Sequence, residues 1–76
     1  AATVVVDPPR TGLGEQVAKD LAALGPARVL YMSCDPATFA RDVKTLGEGG
    51  YALKRARVID MFPMTGHIEV LGELAP

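Results

Sequence analysis

The stretch Leu30–Asp42 constrains the fold of this chain more than any other, because it joins two kinds of secondary structure within a few residues. Its first residues are mostly apolar and predict a buried strand. Asp35 and Pro36 then suit the N-cap and the first position of a helix. Cys34, the only cysteine, falls at the junction. The stretch predicts a strand that runs directly into a helix, as in α/β proteins.

The residues before this junction predict one more strand and one more helix. Thr3–Val6 is a β-branched run that suits a strand covered on both faces, and two prolines after Asp7 stop it. A one-sided apolar stripe predicts the helix, and Gly25-Pro26 ends it. The stripe consists of Leu13, Val17, Leu21 and Leu24. A second buried strand at Arg28–Ser33 makes a right-handed parallel crossover the expected connection.

The residues after the junction predict a helix and two further strands. An apolar stripe marks the helix, and Gly47 is placed to close it in a left-handed conformation. The stripe consists of Phe39, Val43 and Leu46. A third, less buried strand is expected at Tyr51–Ile59. The connection after it is too short for a crossover, so the last strand, about His67–Leu74, is expected to return antiparallel, beside its predecessor or one place over.

Acidic, thiol and imidazole side chains stand at one edge of this predicted sheet. Parallel neighbours end on the same edge, and the last strand starts there, so the residues at these ends are expected to converge. They are Asp7, Cys34, Asp60, His67 and Glu69. Open α/β sheets bind ligands at the carboxyl ends of their strands, so this rim is the predicted functional site.

Composition limits what such a site can be. The chain has 76 residues, enough for one domain, and its net charge of −1 gives no general attraction for a polyanion. One cysteine and one histidine are too few for a zinc or iron–sulfur site built from this chain alone, so no metal is expected. A single thiol suits a reducing compartment, and no apolar run approaches the length of a membrane span. A soluble, cytoplasmic protein is therefore expected.

Cys34 has two interpretations on position alone. A thiol one residue before a helix N-cap lies near the positive end of the helix dipole, which favours the reactive thiolate. A lone cysteine is also commonly a small buried hydrophobic residue without chemistry. Its place between a strand and a helix leaves both interpretations open.

Three segments of the chain share the order and approximate spacing of a known set of motifs. They are Asp7-Pro8-Pro9-Arg10-x-Gly12, Tyr31-Met32-Ser33-Cys34-Asp35-Pro36-x-Thr38-x-Ala40-Arg41-Asp42, and Asp60-Met61-Phe62-Pro63-x-Thr65-x-His67-x-Glu69. Together they resemble the carboxyl-terminal part of the RNA uracil-5 methyltransferase family, whose members make 5-methyluridine with S-adenosylmethionine. The resemblance implies a Rossmann-like class I methyltransferase fold, with a mostly parallel sheet and a final antiparallel strand.

The resemblance implies roles for the residues at the rim. Cys34 corresponds to a nucleophile that adds to carbon 6 of uracil, and Glu69 to a general base that removes the proton from carbon 5. Asp7 corresponds to an acid that contacts the target base and borders the cofactor. The other implied contacts are Arg10 and His67 for substrate and Pro8 for cofactor. Thr38, Arg41 and Asp42 are expected to hold the Cys34 loop rather than to touch substrate.

The resemblance also implies partners and missing parts. S-adenosylmethionine is the implied methyl donor, and ribosomal or transfer RNA is the implied substrate, with its uridine flipped out of the stack. Residues 1–76 resemble the second half of a catalytic domain, because the glycine-rich loop and the ribose-binding acid of such a fold are not among them. Gly12-Leu13-Gly14 opens a helix after a strand but lacks the third glycine of a dinucleotide loop. The cofactor loop and an RNA-binding domain are expected elsewhere. The chain alone is therefore expected to be inactive and to self-associate through unpaired strand edges.

Two further points follow from individual residues. Asp35 stands where the family often has Asn, and its carboxylate would oppose a Cys34 thiolate unless cap hydrogen bonds hold it away. The turn at Asp7-Pro8-Pro9 also resembles those of amino-methyltransferases, although these end in an aromatic residue where this chain has Arg10 and need no cysteine. A non-catalytic α/β module that binds a partner along its sheet edge is the other alternative. A requirement for Cys34 distinguishes the uracil-5 methyltransferase from both alternatives.

Overall fold

Strands and helices alternate along the chain, as the sequence predicts. The computed structural model describes residues 2–62 and 67–76, and the side chains of 2–59 and 69–76. The elements are, in chain order, β1 (Thr3–Val6), α1 (Glu15–Leu24), β2 (Arg28–Ser33), α2 (Pro36–Glu48), β3 (Ala52–Phe62) and β4 (His67–Ala75). Every predicted element is present. The main difference in length is in β3, which continues past its predicted end at Ile59 to Phe62.

The strands form one sheet in the order β1-β2-β4-β3. β1 and β2 are parallel, with Thr3 opposite Arg28 and Val6 opposite Tyr31. β4 is antiparallel to both β2 and β3, so among the described strands β4 alone is reversed. The expected mostly parallel sheet with a final antiparallel strand is confirmed. The last strand pairs with its predecessor by inserting between it and β2.

Both helices pack on one face of the sheet. The buried core joins them to alternate residues of the strands, and its members are Ala18, Leu21, Val29, Tyr31, Phe39, Leu46, Tyr51, Val70 and Leu74. Successive right-handed crossovers in one direction across a sheet put their helices on the same side. The expectation that β1 is covered on both faces is wrong for these residues, because Val5 on the other face is 64% exposed. Self-association through exposed strands stays a prediction.

Helix α1 is rotated relative to its predicted stripe. Ala18 is buried, whereas Val17 and Leu24, which were expected to face the core, are 51% and 73% exposed. The reason is close packing between the helices, since a Cβ on Gly49 would lie only 2.5 Å from the Cβ of Ala22. The side of α1 with small residues therefore faces α2, and the larger aliphatic residues are displaced toward solvent.

Helix α2 ends later than the sequence predicts. The expectation that Gly47 closes it is wrong, because the helix continues to Glu48 and Gly50 carries the positive φ of 99°. The Tyr51 N–H donates to the carbonyl of Leu46 at 2.9 Å, which closes a Schellman motif. In that motif the left-handed residue comes directly before the closing donor, and this residue is Gly50.

Phe39 anchors α2 to the sheet. Its ring lies over Gly72 of β4, where a Cβ would come within 2.6 Å of the ring. The same ring packs edge-on against Tyr31 of β2, with the ring centroids 5.2 Å apart. Phe39 thereby fixes the height of α2 above two strands, and with it the position of the helix start at the edge of the sheet.

Candidate active site

Three of the predicted rim residues come to one edge of the sheet. Asp7 follows the end of β1, Cys34 follows the end of β2, and Glu69 lies near the start of β4. Because β1 and β2 are parallel and β4 runs the other way, these positions share the carboxyl edge of the sheet. Asp7 and Cys34 are exposed, and Glu69 is partly buried. The rim therefore presents two acids and a thiol from three different strand ends.

The residues on either side of Cys34 hold its loop in place. Ser33 is buried, and its hydroxyl donates to the Asp35 carbonyl at 2.8 Å and accepts from the Asp35 N–H at 3.1 Å. The Asp35 carboxyl accepts from the N–H groups of Ala37 and Thr38 at 3.0 and 3.4 Å. These bonds fix the backbone on both sides of Cys34 and leave its side chain exposed.

Cys34 lies directly before the N-terminus of α2. A helix N-terminus carries partial positive charge on its free N–H groups, and this charge stabilises a nearby anion. The Asp35 carboxyl would by itself repel a thiolate, but the cap holds it on the first N–H groups of the helix. The predicted cap is present.

The pairing of β2 with β4 brings Glu69 and Cys34 to adjoining strand ends. Ser33, the last residue of β2, is opposite Val70. Cys34 follows Ser33 and Glu69 precedes Val70, so both lie next to this last pair of the two strands. Directly opposed residues of antiparallel strands have Cα atoms about 4.5 to 5.5 Å apart. Val70 is buried against the helices, and Glu69, one residue away, lies toward the other face of the sheet. A carboxyl group and a thiol thus stand at neighbouring strand ends.

The loop between β1 and α1 is held by hydrogen bonds from α2. They run from Thr38 Oγ1 to the Arg10 carbonyl at 3.1 Å, from Arg41 Nη2 to the Thr11 carbonyl at 2.6 Å, and from the Leu13 N–H to Asp42 Oδ2 at 2.7 Å. Each bond involves a backbone group of the loop and a side chain of the helix. The loop backbone is therefore fixed against the helix that starts beside Cys34.

Gly12 lets this loop approach the helix closely. Its φ is +81°, a backbone conformation that residues other than glycine rarely adopt. A Cβ on Gly12 would come within 2.6 Å of Asp42 Oδ2 and 2.8 Å of Arg41 Nη2. Any other residue here would have a strained backbone. Its side chain would also clash with the polar groups that bind Thr11 and Leu13. The glycine of the first motif is explained by this contact.

Asp42 is a fully buried acid at the centre of these contacts. Tyr31, also fully buried, donates to Asp42 Oδ2 at 2.5 Å, and the Leu13 N–H donates to the same oxygen. Arg41 Nη2 lies 3.4 Å from the other oxygen. Burial, followed by the hydrogen bond to Asp42, raises the pKa of Tyr31 well above its ordinary value. The Tyr31 hydroxyl therefore remains a donor at neutral and moderately alkaline pH.

The role of Asp42 differs from the expected one. The sequence predicted that Thr38, Arg41 and Asp42 hold the Cys34 loop, but Arg41 and Asp42 bind the other loop. Thr38 serves both, because its hydroxyl also lies 3.1 Å from the Asp35 carbonyl. The signal that could have indicated this was the position of Asp42 three residues after Phe39, on the apolar side of the helix. An acid there is buried and needs partners.

Other predicted site residues are placed less completely. Arg10 is exposed and Pro8 is partly buried, both in the loop after β1. The side chains of Asp60 and His67 lie outside the described residues. Within the part of the chain that the structure describes, no group of three or more His, Cys, Asp or Glu side chains could hold a metal ion, and no helix is long and apolar enough to cross a membrane.

Two hollows of the surface lie away from the rim. One of about 270 Å³, between the carboxyl-terminal halves of α1 and α2, is lined by residues that include Ala22 and Thr45. Another of about 200 Å³ lies on the sheet face opposite the helices and includes Leu30. Neither contains Cys34 or Glu69.

Comparison with known sequences gives a consistent set of matches. A family model described as tRNA (Uracil-5-)-methyltransferase matches residues 1–74. An uncharacterized RNA methyltransferase of Thermotoga maritima is 50% identical over 66 residues, which are 87% of this chain and 15% of that protein. Another, from Listeria innocua, is 51% identical over 71 residues, or 93% of this chain and 16% of the relative. The chain spans about a sixth of the length of these relatives.

A solved structure shows the same fold. It is the crystal structure of Pyrococcus abyssi tRNA (uracil-54, C5)-methyltransferase in complex with S-adenosyl-L-homocysteine, and it superposes with a TM-score of 0.84 at 45% sequence identity. The match covers 96% of this chain and 18% of that protein. The similarity therefore extends over nearly all of the described fold.

Proposed function

The chain belongs to the tRNA (uracil-5-)-methyltransferase family, and from that premise we propose that it supplies the catalytic residues for S-adenosylmethionine-dependent methylation of carbon 5 of uridine in RNA. One observation carries the proposal: an exposed thiol and a carboxyl group, Cys34 and Glu69, lie at adjoining ends of the neighbouring strands β2 and β4. Methylation of this carbon by a covalent route needs a nucleophile and a base in such proximity. Residues 1–76 then form the carboxyl-terminal half of a catalytic domain.

Cys34 performs the first step of the proposed reaction. Carbon 5 of uracil is a poor nucleophile until an electron-rich group adds to carbon 6. Attack by the Cys34 thiolate forms a sulfur–carbon 6 bond and moves the electron pair of the carbon 5–carbon 6 double bond into an enolate. Cys34 lies directly before the N-cap of α2, where the attacking sulfur is exposed. Carbon 5 of the enolate can then accept a methyl group.

Glu69 performs the last step of the proposed reaction. After methylation, carbon 5 carries both the methyl group and its original proton. The Glu69 carboxylate takes this proton, and the electron pair of the carbon–hydrogen bond re-forms the carbon 5–carbon 6 double bond. The sulfur–carbon bond breaks at the same time, which releases 5-methyluridine and restores the Cys34 thiolate. The partly buried position of Glu69 near the start of β4 suits a general base.

Asp7 and Pro8 are the residues of this chain proposed to border the cofactor. S-adenosylmethionine, when bound, supplies the electrophilic methyl group. Asp7 is exposed at the carboxyl end of β1, where its carboxyl group can accept a hydrogen bond from an amino or imide N–H of the cofactor or target base. A glycine-rich phosphate loop is not found among these residues. Most of the cofactor site is therefore proposed to come from residues outside this chain.

RNA is the proposed substrate, ribosomal or transfer, and the cytoplasm the proposed compartment. The exposed Arg10 guanidinium can hydrogen-bond a phosphate or a base edge, and His67 is proposed to contact the same substrate. A uridine inside a duplex could not reach Cys34, so the target is proposed to be flipped or single-stranded. A reducing compartment keeps the exposed thiol available.

Product analysis tests this function. The complete protein is incubated with methyl-labelled S-adenosylmethionine and with transfer RNA or ribosomal RNA transcripts, and the nucleosides are identified by mass spectrometry. Label in 5-methyluridine from either RNA supports the proposal. Label on an exocyclic amine would favour an amino-methyltransferase, and absence of label from both RNAs would favour a non-catalytic module.

A further inference from the structure

Thr38, Arg41 and Asp42 form one stripe along α2, and we call these three residues the clamp. Positions three and four apart on a helix lie on the same side. Each clamp side chain binds the loop after β1 at a different point, through two carbonyls and one N–H. The clamp therefore recognises the backbone of the loop and leaves the loop side chains free for other contacts.

We infer that the clamp is a positioning device that sets the loop carrying Asp7 and Arg10 at a fixed distance from Cys34. The inference rests on the proposed function for the reaction that these residues serve. The clamp residues touch neither thiol nor target base in this role; they act through the backbone of the loop. Their identity is thus determined by geometry rather than by reaction chemistry.

The loop needs such support because its own helix gives little. Gly14 at the start of α1 has a φ of 84° and makes no side-chain cap. Inside the loop, the Gly12 N–H donates to the Pro9 carbonyl at 2.8 Å. Most of the other hydrogen bonds to the loop backbone are the clamp contacts from α2. A loop held from a second helix moves with that helix, and this helix starts beside Cys34.

Thr38 connects the two loops directly. Its hydroxyl lies 3.1 Å from the Arg10 carbonyl and 3.1 Å from the Asp35 carbonyl, so one oxygen touches both the loop after β1 and the residue that caps α2. A hydroxyl has one proton, which the two carbonyls share. A shift of about 1 Å between reacting groups can cost up to about 100-fold in rate. Thr38 is therefore the most informative positioning residue to change.

The chain offers a matched control for Thr38. Thr45 lies further along the same helix and donates from its hydroxyl to the Arg41 carbonyl at 3.2 Å, a bond within α2. Thr38→Val and Thr45→Val each remove one hydroxyl and keep the branched shape. Thr38→Ser keeps the hydroxyl and is the conservative rescue. The three variants of the complete protein separate the clamp contact from a general effect on the helix.

The readout is the rate of covalent trapping of RNA that contains 5-fluorouridine, at saturating RNA, together with the RNA concentration for half-saturation. Thr38→Val is expected to lower the trapping rate by about tenfold and to change half-saturation by less than about twofold, because phosphate contacts dominate RNA affinity. Thr38→Ser and Thr45→Val are expected to stay within about twofold of the wild type. Equal rates for the two valine variants, or a Thr38→Ser defect as large as that of Thr38→Val, would overturn the inference.

Amide hydrogen exchange tests the clamp independently of activity. Thr38→Val is expected to speed exchange of the Gly12 and Leu13 amides by about tenfold relative to Thr45→Val, because the loop opens locally. Unchanged exchange in an active enzyme would contradict the inference and leave the proposed function intact. If Thr38→Val exchanges faster but the wild-type protein neither traps nor methylates RNA, the proposed function is contradicted and the clamp inference is supported.

Discussion

Two junctions at the carboxyl edge of the sheet are built in opposite ways. The junction between β2 and α2, which holds Cys34, is fixed by its neighbours in sequence: Ser33 and Asp35 bond to each other, and Asp35 caps the helix. The junction between β1 and α1, which holds Asp7, has an uncapped helix start at Gly14 and is fixed by contacts about 30 residues away in the chain. One loop is folded locally, and the other depends on tertiary structure.

The difference indicates which loop sets the geometry of the site. A locally bonded loop forms wherever its strand and helix form, so Cys34 has a fixed place on β2 and α2. The loop with Asp7 takes its position from α2 through the clamp. Changes at the Cys34 junction should therefore act on chemistry, and changes at the other loop should act on alignment and stability.

Cys34→Ser is expected to have the largest effect. A serine hydroxyl is seldom ionised at neutral pH, so turnover should fall by roughly a thousandfold or more. RNA binding should remain close to that of the wild type, because the substitution removes one sulfur and leaves the local hydrogen bonds. Methylation assays with a filter-binding control check this. Ordinary methylation by Cys34→Ser would show that the reaction is not covalent.

Glu69→Gln is expected to stop the reaction at a different stage. Attack and methylation can proceed, but the carbon 5 proton has no base, and loss of a general base costs about 100- to 10,000-fold. A methylated covalent complex should accumulate and appear as a shifted RNA band on a denaturing gel. Val70→Ala, one residue away on the buried face, is the control for damage to β4. Release of free methylated product at the normal rate would assign the base to another residue.

Gly12→Ala and Gly14→Ala form a pair that tests the dependence of the first loop on α2. Both glycines have positive φ, so each substitution should cost about 1 to 3 kcal/mol of stability. Only at Gly12 would the new Cβ also meet Asp42 and Arg41, whereas nothing lies within 4 Å at Gly14. Gly12→Ala should therefore cost at least about 1 kcal/mol more and slow RNA trapping. Equal free energies of unfolding in urea would refute close packing against the clamp.

Tyr31→Phe is expected to have a smaller effect, with a pH signature. The variant leaves Asp42 Oδ2 with one hydrogen bond fewer, which should cost about 1 to 3 kcal/mol. Because the folded-state pKa of Tyr31 is raised above its unfolded value near 10, the tyrosine contributes stability that is complete below about pH 10 and is lost as pH rises further.

Urea unfolding between pH 8 and pH 11 measures this contribution. The stability of the wild type should fall more steeply above about pH 10 than that of Tyr31→Phe. Tyr51→Phe removes another buried tyrosine hydroxyl, which donates to the Pro26 carbonyl, and should leave RNA trapping unchanged. Parallel curves for the wild type and Tyr31→Phe would show that the Tyr31 hydroxyl is not coupled to folding.

The two junctions also explain what could be predicted from sequence. The β2–α2 junction was predictable because its signals are adjacent: an apolar strand, then Asp35 as a cap and Pro36 as the first helical residue. The sheet edge followed from strand direction. Contacts that join distant segments were not predictable in the same way. The burial of Asp42 and its bond to the Leu13 N–H depend on how α2 lies over the sheet, which Phe39 and Gly72 determine.

The errors in the helices have the same origin. Val17 and Leu24 fit an apolar stripe, yet the close approach of Gly49 to Ala22 turns the small residues of α1 inward. Periodicity reports which side of a helix is apolar, but it does not report how near the next helix comes. Gly50 terminates α2, but two other glycines, Gly47 and Gly49, lie within three residues of it, and only the bond from the Tyr51 N–H distinguishes them.

The most direct measurement is identification of the residue that 5-fluorouridine RNA captures. A base can remove the proton from carbon 5 of uridine but cannot remove the fluorine that replaces it. The covalent complex therefore persists after methylation. The complete protein is incubated with S-adenosylmethionine and this RNA, digested with protease and nuclease, and the modified peptide is sequenced by mass spectrometry. The expected result is a methylated fluorouracil nucleotide on the peptide that contains Cys34, the only cysteine of the chain. Attachment to another residue, or methylation of normal RNA without capture of the fluorinated RNA, would contradict the proposed mechanism.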